Sequence, residues 1–413
     1  MKKIKTIMQQ LRGLGDFRVL RVLAPSLEGG LGWVLFFTLH SSLLTSCSSE
    51  QELEPEVRIP LEVMPCMTPY EEEYAPTRAW LPPTGFSEVV GSDSKSIGIC
   101  FTQDDQEPKK GFFVYSDTQN KWYTSVENIQ AATYYLYGYY PHEAGVICNI
   151  SSSTTPEDNS SYSTGAVLTL SNQPSATPND MCVVVGAKNG YNNGYDPDND
   201  YTIGGLKRGD FSYAAAAATT GNPPTAYGNY VYLLFDHLYS CLRLQFKVDA
   251  TYNSLRRIKL KKLDIQAYAG DTQYPLKTEI TVTLKKTTDG IDPIESIVYT
   301  PTGTADIEEW SSFFTSIDGE LVTTDYGPLK DCYFAPKNIT KLILKSTYDI
   351  YDTNGNLIRE EATAENALVF NDLFNPEPVA LRSKRYTVRL TIQPTYLYVM
   401  SDPDLDNPRL EVD

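Results

Sequence analysis

The sequence predicts an all-β protein with little helix, and three observations lead to this prediction. Apolar and polar residues alternate in many short runs, clusters of Gly, Pro, Asn, Asp and Ser separate those runs, and tyrosine is abundant, at 29 of 413 residues. Alternation with a period of two is typical of a half-buried strand, and tyrosine favours strands and wet interfaces. Many short strands bounded by turn residues form the pattern of a β-sandwich or a β-barrel.

Two segments of the second half show the clearest alternation. In RLQFKVDA, residues 243–250, we expect Leu244, Phe246 and Val248 to face a core and the residues between them to face water. In RYTVRLTIQP, residues 385–394, one face is expected to carry Tyr386, Val388, Leu390 and Ile392. Further strands are predicted at residues 97–102, 111–116, 131–140, 166–170, 181–187, 231–235, 254–269, 279–285, 341–349 and 367–370.

Two segments favour a helix by their composition. DFSYAAAAATT, residues 210–220, combines an alanine run with Asp210 as a candidate N-cap, and IEEWSSFFTSI, residues 307–317, is the second candidate. Between the halves of the chain, TGNPPTAYGNY at residues 220–230 is polar and rich in turn residues. It is the best domain boundary, so we predict an N-terminal domain at residues 79–225 and a C-terminal domain at residues 226–413.

The first 46 residues have the layout of an export signal. Six basic side chains precede an apolar run, Leu31 to Leu39, which continues through Leu43 and Leu44 and then ends in small residues. The stretch LTSC, ending at Cys47, has the form of a lipobox, in which the cysteine thiol is acylated and becomes the new N-terminus. We therefore predict a lipoprotein signal peptide at residues 1–46 and lipidation of Cys47, with an ordinary secretory signal and a chance cysteine as the alternative. Several acyl chains give stable membrane anchoring.

The segment after Cys47 is acidic. Glutamates at alternate positions, Glu50, Glu52, Glu54 and Glu56, cannot pack into a core and predict a solvated tether or propeptide over residues 47–78. The serine and acidic cluster directly behind the lipid-bearing cysteine also resembles the signal that sends lipoproteins of some Gram-negative anaerobes to the outer face of the cell. The expected location is therefore the cell surface, attached to the outer membrane.

Composition excludes several classes of function. The net charge of −17 disfavours nucleic acid as a partner. Only 3 histidines occur in the whole chain and its 7 cysteines form no CxxC pair, so a Ser-His-Asp triad, a zinc site and other metal centres are not expected. No constellation of catalytic residues stands out, and we predict neither an enzyme nor a cofactor.

Each of three smaller motifs can be interpreted either as a functional site or, more plainly, as an ordinary structural feature. The acidic loop at residues 195–205 departs from a calcium loop because Tyr201 stands where glycine is required, so a solvated turn is expected. Arg208-Gly209-Asp210 matches an adhesive tripeptide, but a loop entering a short helix is the plainer interpretation. For Asp236-His237, inside an apolar run, we expect hydrogen bonds in the core.

Six segments, in their order, resemble the fimbrillin family, the subunits of type V pili and related surface adhesins. They are the lipobox at Cys47, TRAW at 77–80, YYLYGYYP at 134–141, GDFSYAAA at 209–216, LLFDHLYSCLRLQF at 233–246 and RYTVRLTIQPT at 385–395. The resemblance covers most of the chain after Cys47. It implies two β-sandwich domains of transthyretin-like topology.

The resemblance also implies a route of assembly. An Arg-specific protease removes the N-terminal segment with the first strand, and a strand of the next subunit fills the groove by β-augmentation. On this sequence, Arg78 matches the processing arginine and Ala79 becomes the new N-terminus, with Arg58 as the alternative. The donor is expected in the tail, residues 395–413, with Tyr396, Tyr398 and Leu405 as groove-filling side chains. Expected partners are other pilus subunits, the outer membrane through the lipid anchor, and a host glycan or protein receptor.

A different class of function remains open at this point. A monomeric surface lipoprotein, such as a pilus tip, an anchor or a glycan-binding adhesin, would keep its N-terminus and present aromatic side chains such as Trp80, Trp122 and Trp310. It would show a measurable affinity for a sugar. The tail is acidic and contains Pro403 and Pro408, which departs from an ideal donor strand and keeps the tip and anchor roles open as well.

Overall fold

The computed structural model of the chain describes residues 62–72, 84–85, 96–116, 121–124, 126, 129–142, 147–153, 161–190, 206–215, 230–288, 291–303, 309–327, 329–374, 376–396 and 403–412. The chain divides into two units, Met1–Arg58 and Ile59–Asp413, and all described residues belong to the second. Strands dominate this unit, so the all-β prediction is confirmed. The transthyretin-like topology stays a prediction. None of the helices in the described part of the chain has the length and apolar character that a membrane span requires.

The strands, in chain order, are β1 Glu62–Met67, β2 Glu71–Glu72, β3 Thr84–Gly85, β4 Ser96–Thr102, β5 Lys109–Ser116, β6 Lys121–Thr124, β7 Thr133–His142, β8 Ile147–Ser153, β9 Ser161–Pro174, β10 Ala176–Thr177, β11 Cys182–Gly190, β12 Ser212–Ala214, β13 Tyr230–His237, β14 Ser240–Val248, β15 Arg257–Ala269, β16 Thr272–Gln273, β17 Lys277–Lys285, β18 Ile294–Thr302, β19 Ser311–Leu321, β20 Lys330–Phe334, β21 Lys341–Tyr351, β22 Leu357–Val369, β23 Lys384–Tyr396 and β24 Pro403–Val412. Two short helices interrupt them, α1 Ala250–Leu255 and α2 Phe370–Leu373.

Nine strands form a sheet that closes on itself. Its order is β11-β13-β1-β6-β5-β4-β7-β12, with β3 attached to β1, and β11 pairs with β7 as well as with β13. This extra pairing, Cys182 with Tyr140 and Val183 with Tyr139, completes a ring of seven strands. We call it the strand ring.

The strand ring encloses its own core. Alternate residues of each strand point inward, as the two-residue period of a strand requires. The enclosed residues are Val63, Met67, Ile97, Ile99, Phe101, Phe113, Tyr134, Leu136, Tyr140, Cys182, Val184, Ala187, Tyr213, Val231, Leu233 and Phe235. Each of them is at most 4% exposed. The ring therefore depends on every strand that contributes to this core, including β1.

Three further sheets complete the unit. A six-stranded sheet has the order β10-β20-β14-β23-β2 with β24 on β23, a five-stranded sheet has the order β16-β15-β21-β22 with β19 on β15, and a four-stranded sheet has the order β18-β17-β9-β8. The six-stranded and five-stranded sheets share one core. The four-stranded sheet packs on the outer face of the strand ring around a core that includes Leu168, Val183 and Val282.

The strand predictions are confirmed where the alternation was clearest. Leu244, Phe246 and Val248 of β14 are buried, and so are the four predicted core residues of β23. The structure also confirms the hydrogen-bonded interpretation of Asp236-His237. Cys100, Cys182 and Cys241 are free cysteines that lie buried in strands.

Both helix predictions are wrong within the described residues. Asp210 does not cap a helix, because its carboxylate accepts hydrogen bonds from the Ser212 backbone N–H and hydroxyl in a turn. The next residues form β12, which pairs with β7 and buries Tyr213 in the strand ring. In the second segment, Ser311–Leu321 is strand β19 on β15. Tertiary pairing thus overrides the local preference of the alanine run.

The predicted division into domains at residues 79–225 and 226–413 stays a prediction. Strands from the two predicted domains pair with each other at three places. β13 pairs with β11, β17 pairs with β9, and β20 pairs with β10.

Candidate functional site

Strand β1 completes the strand ring from the N-terminal side of the chain. It pairs in parallel with β13 over six positions, from Glu62 opposite Tyr230 to Met67 opposite Phe235. Its other edge pairs antiparallel with β6 and with β3. No short loop connects β1 to β13 or to β6, so β1 is attached to these neighbours by contacts between distant parts of the chain. We call residues 62–72 the N-terminal segment, and the surface that it covers its seat.

Apolar side chains of the N-terminal segment fill both faces of its seat. Val63 and Met67, 4% and 2% exposed, belong to the core of the strand ring. Cys66 points to the opposite face and joins the core shared with the four-stranded sheet, as does Tyr70. Burying a side chain of this size stabilises a fold by about 1.5–3 kcal/mol. Four such side chains make the segment an integral part of both cores.

β1 contains a proline in the middle of the strand, Pro65, which stands opposite Leu233 of β13. Proline has no backbone N–H, so it cannot donate to a neighbouring strand. The pairing with β13 nevertheless runs without a register shift from Glu62 to Met67, and the Thr68 N–H continues it by donating to the backbone oxygen of Phe235 at 3.0 Å. Backbone hydrogen bonds and buried side chains therefore both hold the segment.

A polar cluster at the end of β1 fastens the segment to β13 and to Asp180. The backbone oxygen of Thr68 lies 2.6 Å from Nε2 of His237, and the other ring nitrogen, Nδ1, lies 2.7 Å from Oδ2 of Asp180. The Tyr70 hydroxyl donates to Oδ1 of the same carboxylate at 2.7 Å, and its ring stacks on the imidazole with the centroids 3.6 Å apart. Burial, together with the nearby Asp180 charge, raises the pKa of Tyr70 well above its usual value, so this hydroxyl keeps its proton.

A buried carboxylate organises the surroundings of this cluster. Asp236, on β13, pairs with the guanidinium of Arg208 and, at 3.1 Å, with that of Arg382. It also accepts a hydrogen bond from the Thr68 hydroxyl at 2.8 Å. Arg382 reaches Asp292 at 3.2 Å on its other side. The side chain of Asp236 is only 5% exposed, so its charge is stabilised by these partners in place of water.

We expect the stability supplied by Asp236 to disappear in acid. Burial alone would raise the pKa of this carboxyl, but Arg382 and Arg208 outweigh burial and lower the pKa to about 2. An unfolded aspartate titrates near pH 3.9, so Asp236 stabilises the fold above about pH 4, and this stability is lost as the pH falls toward 2. The difference between the folded and unfolded pKa values corresponds to about 2 kcal/mol in the free energy of unfolding. Urea unfolding of wild type and Asp236→Asn at pH 6 and at pH 2.5 measures it.

Other carboxyl groups titrate in the same pH range and change the stability of both proteins. The quantity to compare at each pH is therefore the difference in free energy of unfolding between wild type and Asp236→Asn. The gap between their free energies of unfolding should narrow by about 2 kcal/mol at the lower pH. A gap that is the same at both pH values would contradict the assigned ionisation of Asp236.

Asp180, Cys182 and His237 have ligand atoms within 4.8 Å of one another, a spacing that a metal ion would also require. Hydrogen bonds account for this spacing without an ion. Both carboxylate oxygens of Asp180 accept from Tyr70 or His237, and both nitrogens of His237 face an acceptor. Burial raises the pKa of the Cys182 thiol well above its usual value, so the thiolate that binds metals is disfavoured. Asp180 and His237 hold Tyr70 and Thr68 of the N-terminal segment, and we call the set Tyr70, Asp180 and His237 the His237 clasp.

Most of the predicted site residues lie outside the described residues. These are Cys47, Arg78, Ala79 and Tyr398. Tyr396 ends β23, and Leu405 lies in β24, which pairs antiparallel with β23 from Leu390 opposite Val412 to Tyr396 opposite Pro403. Leu410, near the end of the tail, is 6% exposed and packs in the core of the six-stranded and five-stranded sheets. The predicted donor tail is thus folded onto its own chain here.

The structure gives a structural role to the Arg-Gly-Asp tripeptide. Its arginine, Arg208, pairs with Asp236, and its aspartate, Asp210, accepts hydrogen bonds from Ser212. The plainer interpretation is correct for the loop, but the short helix expected after it is wrong, because Ser212–Ala214 is strand β12. The sequence did indicate that Asp236 is involved in polar contacts, because a charged residue in an apolar run needs a partner. Nothing in the sequence pointed to Thr68, Tyr70 or Arg382, which contact the cluster from other parts of the chain.

No protein-family model and no curated protein matches the chain. Among solved structures, it is similar to a candidate cell adhesion protein from Bacteroides uniformis at 13% identity and a TM-score of 0.36, over 87% of this chain and 98% of that one. A fimbrial protein from Bacteroides vulgatus matches at 12% identity and a TM-score of 0.29, over 85% of this chain and 98% of that one. A fimbrial anchor protein from Porphyromonas gingivalis matches at 10% identity and a TM-score of 0.25, over 86% and 97%.

These solved structures are fimbrial and cell adhesion proteins, the class of protein that the sequence resembles. Their identities and TM-scores are low, so what this chain does has to follow from its own residues.

Proposed function

We propose that the protein is a structural subunit of a cell-surface type V pilus that serves adhesion. It would be exported as a lipoprotein through Cys47, cut after Arg78 by an Arg-specific protease, and polymerised by donor-strand exchange. The observation that carries this proposal is the position of the N-terminal segment. Residues 62–72 supply a strand and buried side chains to the strand ring, and they lie upstream of Arg78 in the sequence.

A cut after Arg78 would separate this segment covalently from the rest of the unit. The remaining ring strands, β6-β5-β4-β7-β11-β13, stay continuous without β1. The segment would then be held only by packing, by the His237 clasp and by its pairing with neighbouring strands. Such a strand can be exchanged for another without breaking the fold.

Departure of the segment would leave a seat suited to another strand. The backbone N–H and C=O groups of β13 would lose their partners, which is the situation in which an exposed strand recruits a new one. Beside this edge the apolar ring residues Val231, Leu233 and Phe235, buried until then, would become accessible. An extended peptide with alternating apolar side chains fits such a groove by β-augmentation.

The donor in this proposal is the tail of the neighbouring subunit, residues 395–413, with Tyr396, Tyr398 and Leu405 as the inserted side chains. In the isolated chain β24 lies against β23, so exchange requires the tail to leave its own β23. The loss of the β23 contacts would be offset by pairing with β13 of the next subunit. The partners are then further pilus subunits, with the outer membrane holding the precursor through its lipid.

Protein recovered from the cell surface tests this function. Mass spectrometry of the N-terminus and native gel electrophoresis should show a wild-type chain that begins at Ala79 and runs as a ladder. Arg78→Ala should retain an acylated Cys47 terminus and run as a monomer, because the segment stays attached. Arg58→Ala is the matched control and should behave as wild type.

The opposite result has a clear meaning. A wild-type protein with an intact, acylated Cys47 terminus that runs as a monomer would overturn processing and strand exchange. It would favour the monomeric surface lipoprotein, whether a tip, an anchor or a glycan-binding adhesin.

A further inference from the structure

Two cysteines of different sheets lie next to each other. Cys100 is in β4 of the strand ring and is 2% exposed, whereas Cys148 is in β8, at the edge of the four-stranded sheet, and is half-buried. The two thiols lie within reach of each other, and the Cys148 Sγ is 4.0 Å from the backbone oxygen of Asn149. Both are free thiols in this structure.

A lysine side chain bridges the two sheets beside the cysteines. Lys110 stands directly opposite Cys100 in the β4–β5 pairing. Its Nζ donates to the backbone oxygen of Cys148 at 3.1 Å. The side chain of Lys110 thus spans from β5 to β8 beside the two thiols, and it places a positive charge next to them.

This environment shifts the pKa values of the two thiols in opposite directions. The hydrogen bond from Cys100 and the charge of Lys110 favour the thiolate of Cys148 and lower its pKa, although burial opposes this. The hydrogen bond to Cys148 and burial raise the pKa of Cys100 well above its usual value. Because the thiolate is the reactive form, the more exposed Cys148 is the nucleophile and Cys100 is the resolving thiol.

We propose that Cys100 and Cys148 form an intramolecular disulfide when the protein meets a small-molecule or protein disulfide as oxidant. The Cys148 thiolate attacks one sulfur of that disulfide, which forms a mixed disulfide and releases the first thiolate of the oxidant. Cys100 then loses its proton and attacks the Cys148 sulfur, releasing the second thiolate. The two protein thiols lose two protons and two electrons, and the oxidant is reduced to two thiols.

The bond would join β4 of the strand ring covalently to the edge strand of the four-stranded sheet. These two sheets otherwise meet through packing and through contacts such as the one from Lys110. A cross-link that closes a loop of this length restricts the unfolded chain. We expect the melting temperature of the oxidised protein to lie roughly 5 °C above that of the reduced protein.

Thiol counting on the purified full-length chain tests the proposal. The protein is treated with oxidised glutathione at pH 8 under native conditions, denatured, and alkylated. Wild type should show two fewer alkylated cysteines than the untreated protein, and a tryptic digest should contain one peptide pair linked through Cys100 and Cys148. A non-reducing gel should show a monomer.

Three variants separate the steps. Cys148→Ser should lose no thiol, and Cys100→Ser should stop at the mixed disulfide and carry one glutathione. Cys332→Ala, which removes a fully buried cysteine elsewhere, should still lose two thiols. The proposal is overturned if all wild-type cysteines remain alkylatable, if another pair is linked, or if glutathione stays on Cys148 of the wild type.

Discussion

A chain that begins at Ala79 should be much less stable than the full-length protein and should assemble into oligomers. It lacks β1, so the strand ring opens between β13 and β6, and the seat of Val63 and Met67 is exposed. The lost burial of four side chains, at about 1.5–3 kcal/mol each, amounts to roughly 6–12 kcal/mol. This is a large part of the stability of an ordinary domain, and we expect the melting temperature to fall by roughly 10 °C or more.

A chain that begins at Ile59 is the matched control. It loses the unit Met1–Arg58 but keeps the N-terminal segment. It should melt like the full-length protein and elute as a monomer in size-exclusion chromatography. A difference between the two truncations can then be assigned to residues 59–78 alone.

A synthetic peptide can show whether the truncated chain is less stable because its seat is empty or because the rest of the chain is misfolded. A peptide of residues 60–72 should bind the chain that begins at Ala79, restore most of its melting temperature and suppress oligomers. The same peptide with Val63→Asp and Met67→Asp should do neither, because it would bury two charges in the ring core. Normal stability and a monomeric state without any peptide would contradict the structural role assigned to β1.

Asp236→Asn should destabilise the protein by about 3 kcal/mol near neutral pH. The amide keeps the shape of the side chain and a hydrogen bond to Thr68, but Arg208 and Arg382 lose their buried counter-charge. Removing one partner of a buried ion pair costs about 3–5 kcal/mol, and the partial exposure of both arginines places the expected value at the lower end. Urea unfolding measures the loss.

Asp331→Asn is the matched control. Asp331 receives two hydrogen bonds from Arg243, at 2.8 and 2.7 Å, and the side chains of this pair are 22% and 23% exposed. We expect it to cost about 1 kcal/mol. Hydrogen exchange adds a local readout, since Asp236→Asn should speed exchange at residues 62–70 and Asp331→Asn should not. Equal effects of the two variants would contradict the assignment of Asp236 to the seat.

The strands that the sequence predicted correctly are those with regular alternation. Leu244, Phe246 and Val248 show a period of two and are buried as expected, because a sheet with one face on a core imposes that pattern. β1 was missed because its sequence, EVMPCM, is short and contains a proline. The alanine run after Asp210 favoured a helix, and only the burial of Tyr213 in the ring explains the strand.

The candidate site was less predictable than the strands. The pairing of β1 with β13 joins residues far apart in the chain, and local patterns carry no information about such a pairing. The clasp likewise depends on Tyr70, Asp180 and His237 meeting in space. The sequence did indicate, through TRAW at residues 77–80, that the segment before Arg78 is special, but it did not reveal what this segment covers.

The most direct test of strand exchange asks what lies beside β13 before and after assembly. Tyr232 of β13 stands opposite Met64 of β1, so a photo-reactive phenylalanine analogue in place of Tyr232 reports on the occupant of the seat. In the precursor the cross-link should map to residues 62–67 of the same chain. In pili from the cell surface it should map to residues 395–413 of a second chain. A cross-link to residues 62–67 in the assembled polymer would contradict the account.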